Sequence, residues 1–243
     1  MTNINDIHQE DINIFVRTFA LSEILDEASF LITGATGLVA STLVQCLAAL
    51  RPNVKITIPV RDKKKARCIY GDIANRLEIV ECNLSEWVEA LDRNFDYVVH
   101  CASPTAGDYM VKYPVETFCF AYDSTRALLD YCNRNDVKSM VYVSSLEYYG
   151  QILSDKIITE DVQGYIDPVS PRSSYPMGKR TAEYLCVAYA TEYNIPVKIA
   201  RLTQTFGAGV SKDDNRVFAQ FARSIINGTD IVLHTTGESA KPY

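Results

Sequence analysis

The feature that most constrains the fold is the stretch LITGATGLVAS, which follows one short apolar segment and opens a longer amphipathic one. Gly34, Gly37 and Ala40 recur every third residue, where a strand should end and a helix begin. Glycines at this spacing permit a tight turn and close backbone approach to a pyrophosphate, which binds at the positive helix N-terminus. Ala40 is small enough to keep the helix close to the strand. The stretch therefore predicts the dinucleotide-binding turn of a βαβ unit.

Short apolar runs alternate with longer amphipathic stretches along the chain, which predicts βαβ units and a parallel sheet. Their apolar character is continuous, as expected when helices cover both sheet faces. Strands are predicted at 29–34, 55–60, 77–82, 96–103, 139–145, 197–202 and 230–235. Helices are predicted after the glycine turn, at 114–134, from Tyr175 to Tyr193 and at 216–228. The fold class expected is α/β: a Rossmann-type doubly wound parallel sheet with helices on both faces and a C-terminal substrate region that is small or truncated.

The chain is expected to have three regions. Partial helical spacing of Ile12, Phe15, Phe19 and Ile24 indicates that the N-terminal part is a helix packed onto the body. The regions are an N-terminal helical extension (1–28), a dinucleotide-binding Rossmann domain (29–203) and the start of a substrate-binding region, expected to be incomplete (204–243).

Composition excludes several classes of partner. A net charge of −6 argues against sequence-independent nucleic-acid binding, which needs a basic face. The seven cysteines are scattered without a CxxC pair and the three histidines lie far apart, so no metal site is expected. Reduced buried thiols, no signal peptide and no apolar run of membrane-spanning length predict a cytoplasmic protein without a membrane partner.

The segment PVRDKKKAR follows the second predicted strand, where the adenosine ribose of a dinucleotide is recognised. An acidic residue there favours NAD and an arginine favours the phosphate of NADP. Arg61 and Asp62 supply both, so the choice between NAD and NADP stays open.

Two further segments carry chemistry. The strand at 139–145 delivers Ser144 and Ser145 to the carboxyl end of the sheet, where ligands bind, and Glu147 follows as a second acid or base. Tyr175 and Lys179 stand four residues apart at a predicted helix start, so they share one face. A nearby cation stabilises a phenolate and can make tyrosine a proton-transfer group.

The motifs TGATGLVA, HCAS, SSLEYYG, YPMGK and ARLTQTFG occur in the order typical of the extended short-chain dehydrogenase/reductase family, which the chain resembles over about residues 29–243. The resemblance implies that Tyr175 is the acid/base and that Lys179 lowers its pKa and binds the cofactor ribose. Ser145 would complete the triad, and Glu147 falls where some members carry a catalytic glutamate.

The same resemblance implies the residues that contact each ligand. Contacts to NAD or NADP are expected from Gly34, Thr36, Gly37, Leu38, Arg61, Asp62, Asn83, Leu84, Cys101, Ala102, Ser103, Tyr175 and Lys179. Contacts to the substrate are expected from Ser103, Pro104, Gln204 and Arg216.

Within the family, HCASPTAGDYMVKYPVET, YPMGKR and NRVFAQFARSIINGTDI are similar to the UDP-glucuronate decarboxylase group. This implies a nucleotide sugar, most of all a UDP-sugar, oxidised at its C4 hydroxyl and then decarboxylated or epimerised. Leu146 replaces an aspartate of the 4,6-dehydratases, which counts against dehydration. Asn83 and Gln204 also depart from the family pattern, and the chain ends at Tyr243 where relatives continue.

Alternative functions stay open at this point: an NADP-dependent carbonyl or keto-sugar reductase, or a dinucleotide-binding protein or fragment without turnover. The resemblance also implies a homodimer, formed through a four-helix bundle of the helices at 114–134 and 179–193 from each subunit.

Overall fold

The computed structural model describes residues 4–152 and 157–233, apart from the side chains of residues 4–6 and 22. The strands are β1 (Ser29–Thr33), β2 (Lys55–Val60), β3 (Leu77–Glu81), β4 (Tyr97–His100), β5 (Ser139–Ser145) and β6 (Val197–Leu202). The helices are α1 (Ile4–Thr18), α2 (Leu38–Leu50), α3 (Lys63–Tyr70), α4 (Leu84–Glu89), α5 (Gly107–Lys112), α6 (Pro114–Arg134), α7 (Ser174–Tyr193) and α8 (Val217–Asn227). Short 3₁₀ segments lie at Ser22–Leu25, Gly71–Arg76, Leu146–Tyr149 and Pro171–Ser173.

The six strands form one parallel sheet in the order β3-β2-β1-β4-β5-β6. The chain moves outward from β1 to β3 and then crosses back to place β4 on the other side of β1. This reversal opens a crevice at the carboxyl ends of β1 and β4, the position where open α/β sheets bind ligands. The predicted doubly wound parallel sheet is confirmed.

Two apolar clusters cover the two faces of the sheet. Phe30 and Ile32 belong to the cluster under α2 and α3, whereas Leu31 between them belongs to the cluster under α6 and α7. This alternation follows from the pleat, which points successive side chains to opposite faces. Because both faces are covered, the central strands can be apolar at every position.

Helix α1 packs on the first of these clusters. Ile12 is buried, and Phe15 and Phe19 contact the cluster while stacking on each other with ring centroids 4.9 Å apart. The expectation that Ile24 contributes to this face is wrong, since its side chain is 64% exposed in the 3₁₀ segment that ends the extension.

Two predicted strands differ from the structure. The strand expected at 96–103 ends at His100, the last residue that pairs with β1 and with β5, and the chain then passes the turn at Gly34. The strand expected at 230–235 does not form over residues 230–233, whose apolar side chains are exposed, and residues 234–235 lie outside the described residues.

The helices in the described ranges are all too short or too polar to cross a lipid bilayer.

Candidate active site

The turn between β1 and α2 lies directly against the chain that leaves β4. Gly34 has a φ of +70°, and a Cβ atom placed on it would lie 2.6 Å from the backbone nitrogen of Ala102. The nitrogen of Gly37 donates to the oxygen of Gly34 at 2.9 Å, and no side chain in the described ranges caps the helix that begins at Leu38. The first amides of α2 are therefore left to other acceptors, and the turn forms a cradle that a larger residue would fill. Both features fit a bound pyrophosphate.

A buried hydrogen-bond chain holds the ends of β1 and β4 together through His100. Thr33 Oγ1 accepts from the nitrogen of Ala102 (3.2 Å) and lies 2.7 Å from His100 Nδ1, while His100 Nε2 lies 3.2 Å from Ser124 Oγ. The Ser124 hydroxyl donates to the oxygen of Phe120, so it must accept from Nε2–H, and Nδ1 accepts from Thr33. The imidazole is therefore neutral.

Burial, with a smaller contribution from the positive charge of Lys179, lowers the pKa of His100 to about 3, which keeps this ring neutral over the ordinary pH range. Sequence analysis noted His100 only as an isolated histidine. Its position inside the HCAS motif, at the end of a buried strand, was the signal that could have revealed it.

Tyr175 lies in the first turn of α7, half-buried between the segments that follow β4 and β5. Burial raises the pKa of its phenol, and the negative charge of Glu147 raises it further. Hydrogen bonds with Ser145 and Ser103 and the positive charge of Arg172 lower this pKa. The structure thus brings the predicted residues 103, 145, 147 and 175 together.

Lys179 lies one turn further along α7 and is only 3% exposed. Its Nζ donates to the oxygen of Val143 in β5 at 2.8 Å and lies 5.8 Å from the ring centroid of Tyr175. Burial lowers the pKa of Lys179 to about 8, although the charges of Cys101 and Glu183 act in the opposite direction. The ammonium group thus lies near the Tyr175 ring, but the pKa of Tyr175 is raised overall, so a pKa-lowering role for Lys179 stays a prediction.

Glu147 is held by an arginine that sequence analysis did not consider. Arg172 Nη2 donates to Glu147 Oε1 at 2.7 Å, and the nitrogen of Glu147 donates to Ser145 Oγ at 3.2 Å. Arg172 stands three residues before Tyr175 in the stretch PRSSY, a spacing of about one helical turn, and this spacing was the available signal. Ser144 is buried, with a hydroxyl that has no hydrogen-bond partner in the described ranges.

The residues expected at the adenosine end have other contacts. Asp62 caps α3 by accepting from the nitrogen of Lys65 at 2.9 Å, and Arg61 beside it is exposed. Asn83 precedes Leu84 at the start of α4 and donates to Glu86 Oε1 at 2.9 Å. These contacts do not decide between NAD and NADP.

The residues expected to bind the substrate are not all brought together. Arg216 donates to both carboxylate oxygens of Asp214, at 2.6 Å in the shortest contact, and to the oxygen of Thr205 at 3.1 Å. It therefore lies beside the segment that contains Gln204, with its guanidinium already paired. Pro104 is half-buried after Ser103, on the β4 side of the cleft.

In the described part of the chain, no group of three or more histidine, cysteine, aspartate or glutamate side chains could hold a metal ion. The described cysteines are free thiols. Cys46, Cys132 and Cys186 are buried, but Cys68 and Cys119 are exposed, so the expectation of buried thiols is wrong for these two.

The chain is similar to known proteins in sequence and in fold. The family described as "NAD dependent epimerase/dehydratase family" matches residues 30–243. UDP-glucuronic acid decarboxylase 1 of Xenopus tropicalis is 26% identical over 221 residues, which is 90% of this chain and 51% of that protein. UDP-glucuronic acid decarboxylase 6 of Arabidopsis thaliana is 27% identical over 219 residues, covering 88% of this chain and 61% of that protein. The chain thus spans about half the length of these curated relatives.

A solved structure shows the same fold. The UDP-N-acetylglucosamine 4-epimerase from Methanobrevibacter ruminantium M1 superposes with a TM-score of 0.76 at 23% identity, over 89% of this chain and 68% of the epimerase.

The fold and the glycine cradle define a Rossmann-type α/β protein with a cleft at the carboxyl ends of its strands. The match over residues 30–243 shows that the chain belongs to the NAD-dependent epimerase/dehydratase family, and the extended short-chain dehydrogenase/reductase resemblance is confirmed.

Proposed function

We propose that this chain carries the cofactor-binding and catalytic part of a nucleotide-sugar-modifying enzyme of the decarboxylase or epimerase type. One observation carries the proposal: Tyr175, Ser145 and Lys179 meet beside the glycine cradle, in a chain related to UDP-glucuronic acid decarboxylases. In this proposal residues 29–203 form the dinucleotide-binding domain, and residues 204–243 begin the region that holds the sugar nucleotide.

The residues present fit NAD or NADP. Gly34, Thr36, Gly37 and Leu38 would hold the pyrophosphate at the start of α2, and residues 101–103 would flank the reactive ring. The remaining expected contacts are Arg61, Asp62, Asn83 and Leu84 at the adenosine end. Bound dinucleotide supplies the hydride acceptor for oxidation of a sugar hydroxyl and can return the hydride afterwards.

In this proposal, side chains of the protein carry out the proton transfer. Tyr175 as phenolate would take the proton of the C4 hydroxyl, and Ser145 would hold that hydroxyl by a hydrogen bond. Lys179 stabilises the phenolate electrostatically from the same helix face. In a 4-keto sugar, the C4 carbonyl group acidifies or labilises the substituents of the neighbouring carbon. A carboxylate attached to C5 can then leave as carbon dioxide, or the ketone can be reduced from its other face.

The function can be tested by mass spectrometry of products after incubating the protein with NAD or NADP and a panel of nucleotide sugars that includes UDP-glucuronate. We expect a product that has lost carbon dioxide, or an isomer separable by chromatography. Loss of water instead would identify a dehydratase. Failure of every sugar, despite dinucleotide binding, would contradict the proposed turnover.

We also propose that the protein is a homodimer built on α6 and α7. These helices pack closely, since a Cβ on Gly178 would lie 3.0 Å from the Cβ of Ala121. Their outer face exposes apolar side chains, among them Val115, Tyr184 (71% exposed) and Val187. Light scattering should give twice the chain mass, and Tyr184→Glu should halve it. A monomeric mass for the parent protein would contradict this proposal.

A further inference from the structure

Arg172 joins the two segments that carry the proposed reaction. It lies in the 3₁₀ segment Pro171–Ser173, directly before the helix of Tyr175. Its Nη2 donates to the Glu147 carboxylate at 2.7 Å, in the 3₁₀ segment that follows Ser145. This ion pair is one of the contacts that tie the end of β5 to the start of α7.

Arg172 differs from the nearby arginines Arg180 and Arg201 in the hydrogen bonds that its guanidinium nitrogens make. Arg180 donates to three carbonyl oxygens, those of Tyr148, Tyr149 and Gly164. Arg201 makes a bidentate pair with Glu183. In the described ranges neither of them has a nitrogen that is both buried and unpaired.

Arg172 leaves one nitrogen unpaired. Its Nη1 is shielded from solvent and has no hydrogen-bond partner in the described ranges, although the side chain as a whole is 42% exposed. An unpaired buried donor is energetically costly, and more so when it is charged. Within the described ranges, the guanidinium is held by the contact of its Nη2 with Glu147.

The ion pair between Arg172 and Glu147 affects the charge around Tyr175. Glu147 approaches from the segment after β5 and Arg172 from the 3₁₀ turn. Lys179 on α7 lies 5.8 Å from the Tyr175 ring centroid, and Tyr142 on β5 interacts electrostatically with Tyr175. Glu147 raises the pKa of Tyr175 and Arg172 lowers it. Removing Arg172 alone would leave an uncompensated carboxylate beside a phenol that must ionise.

We propose that Arg172 is a positioning residue of the reaction, which fixes the Glu147 carboxylate at the cleft and neutralises its charge beside Tyr175. This inference rests on the proposed function, because it assigns Arg172 a part in the same proton transfer. Arg172 acts through Glu147 and needs no contact with the sugar.

The test is a double-mutant cycle of Arg172→Gln and Glu147→Gln, read as kcat and KM for the active sugar nucleotide and as the pH profile of kcat. Arg172→Gln should lower kcat about 10-fold to 100-fold with little change in KM, which corresponds to about 1.4–2.7 kcal/mol in transition-state free energy. In the Glu147→Gln background the same change should lower kcat by less than about 2-fold, since neighbouring residues in one network are not additive. Arg172→Lys should restore part of the loss.

A second readout does not require turnover. Absorbance titration of tyrosinate, with Tyr175→Phe identifying the relevant transition, should show a higher pKa for Tyr175 in Arg172→Gln. The sign follows from Glu147, whose uncompensated negative charge disfavours the phenolate. In the double variant the pKa should return toward the parent value.

The matched control is Arg93→Gln, which breaks an ion pair with Glu78 that is also 2.7 Å long and has a similar exposure. It should leave kcat and the tyrosine titration unchanged. Additive effects of the two cleft substitutions, or an unshifted Tyr175 pKa in Arg172→Gln, would overturn the inference. If the parent protein turns over no sugar, the proposed function fails and with it the part of Arg172 in the reaction; the titration then reports only whether Arg172 offsets the charge of Glu147 beside Tyr175.

Discussion

Tyr175→Phe is expected to lower kcat for the active sugar nucleotide by about 10²–10⁴-fold, the usual contribution of a positioned acid/base group. The phenol is the group on which Ser145, Ser103, Lys179, Glu147 and Arg172 converge, through hydrogen bonds or charge. Phenylalanine keeps the ring and its packing but removes the oxygen that would exchange a proton with the substrate. Single-turnover and steady-state kinetics would measure the loss.

The matched control is Tyr189→Phe on the same helix. Its hydroxyl donates to Asp130 Oδ1 at 2.6 Å, away from the cleft, so its removal should leave kcat unchanged. Dinucleotide binding by calorimetry should persist in both variants. A Tyr175→Phe protein with parental kcat would show that another group moves the proton.

Gly34→Ala is expected to destabilise the protein and to weaken dinucleotide binding. A residue with a side chain at a φ of +70° carries about 1–3 kcal/mol of backbone strain. In addition, the new Cβ would lie 2.6 Å from the nitrogen of Ala102, where contacting carbon atoms normally stand about 3.5–4.0 Å apart. Relieving this overlap must move the β1–α2 turn away from the segment after β4. We expect this movement to cost about 1–3 kcal/mol more.

The measurement is the free energy of unfolding from denaturant titration, together with the dissociation constant for NAD or NADP. Gly71→Ala is the control, because Gly71 also has a positive φ (+51°) but a Cβ there would meet nothing within 4 Å. It should show the strain alone and leave dinucleotide binding intact. Equal effects of the two substitutions would mean that the contact with Ala102 is not what makes Gly34 necessary.

Much of the fold could be predicted because the signals are local. Helix α6 begins at Pro114 and ends at Arg134, the bounds predicted for it, and a proline suits the first turn of a helix. The six strands of the sheet coincide with the predicted apolar runs to within a few residues. Two predictions show the limit of such local signals. Ile24 fits the helical spacing, but its side chain is exposed, and the apolar run at 230–233 forms no strand. A short apolar run becomes a strand only where a neighbouring strand pairs with it.

Part of the candidate site could be predicted for the same reason. The glycine spacing around residue 34 and the four-residue separation of Tyr175 and Lys179 are properties of one turn and one helix. The family motifs supplied the roles of Ser145 and Glu147, which stay predictions until activity is measured.

The sequence by itself determined the parallel α/β architecture, the glycine cradle and the shared helix face of Tyr175 and Lys179, because each depends on residues only a few positions apart. Only the tertiary structure decided which charges meet around the phenol. Arg172 and Glu147 are 25 residues apart, and His100 lies 67 residues from its partner Thr33. Such pairs are fixed by how strands and helices pack, so spacing along the chain does not encode them.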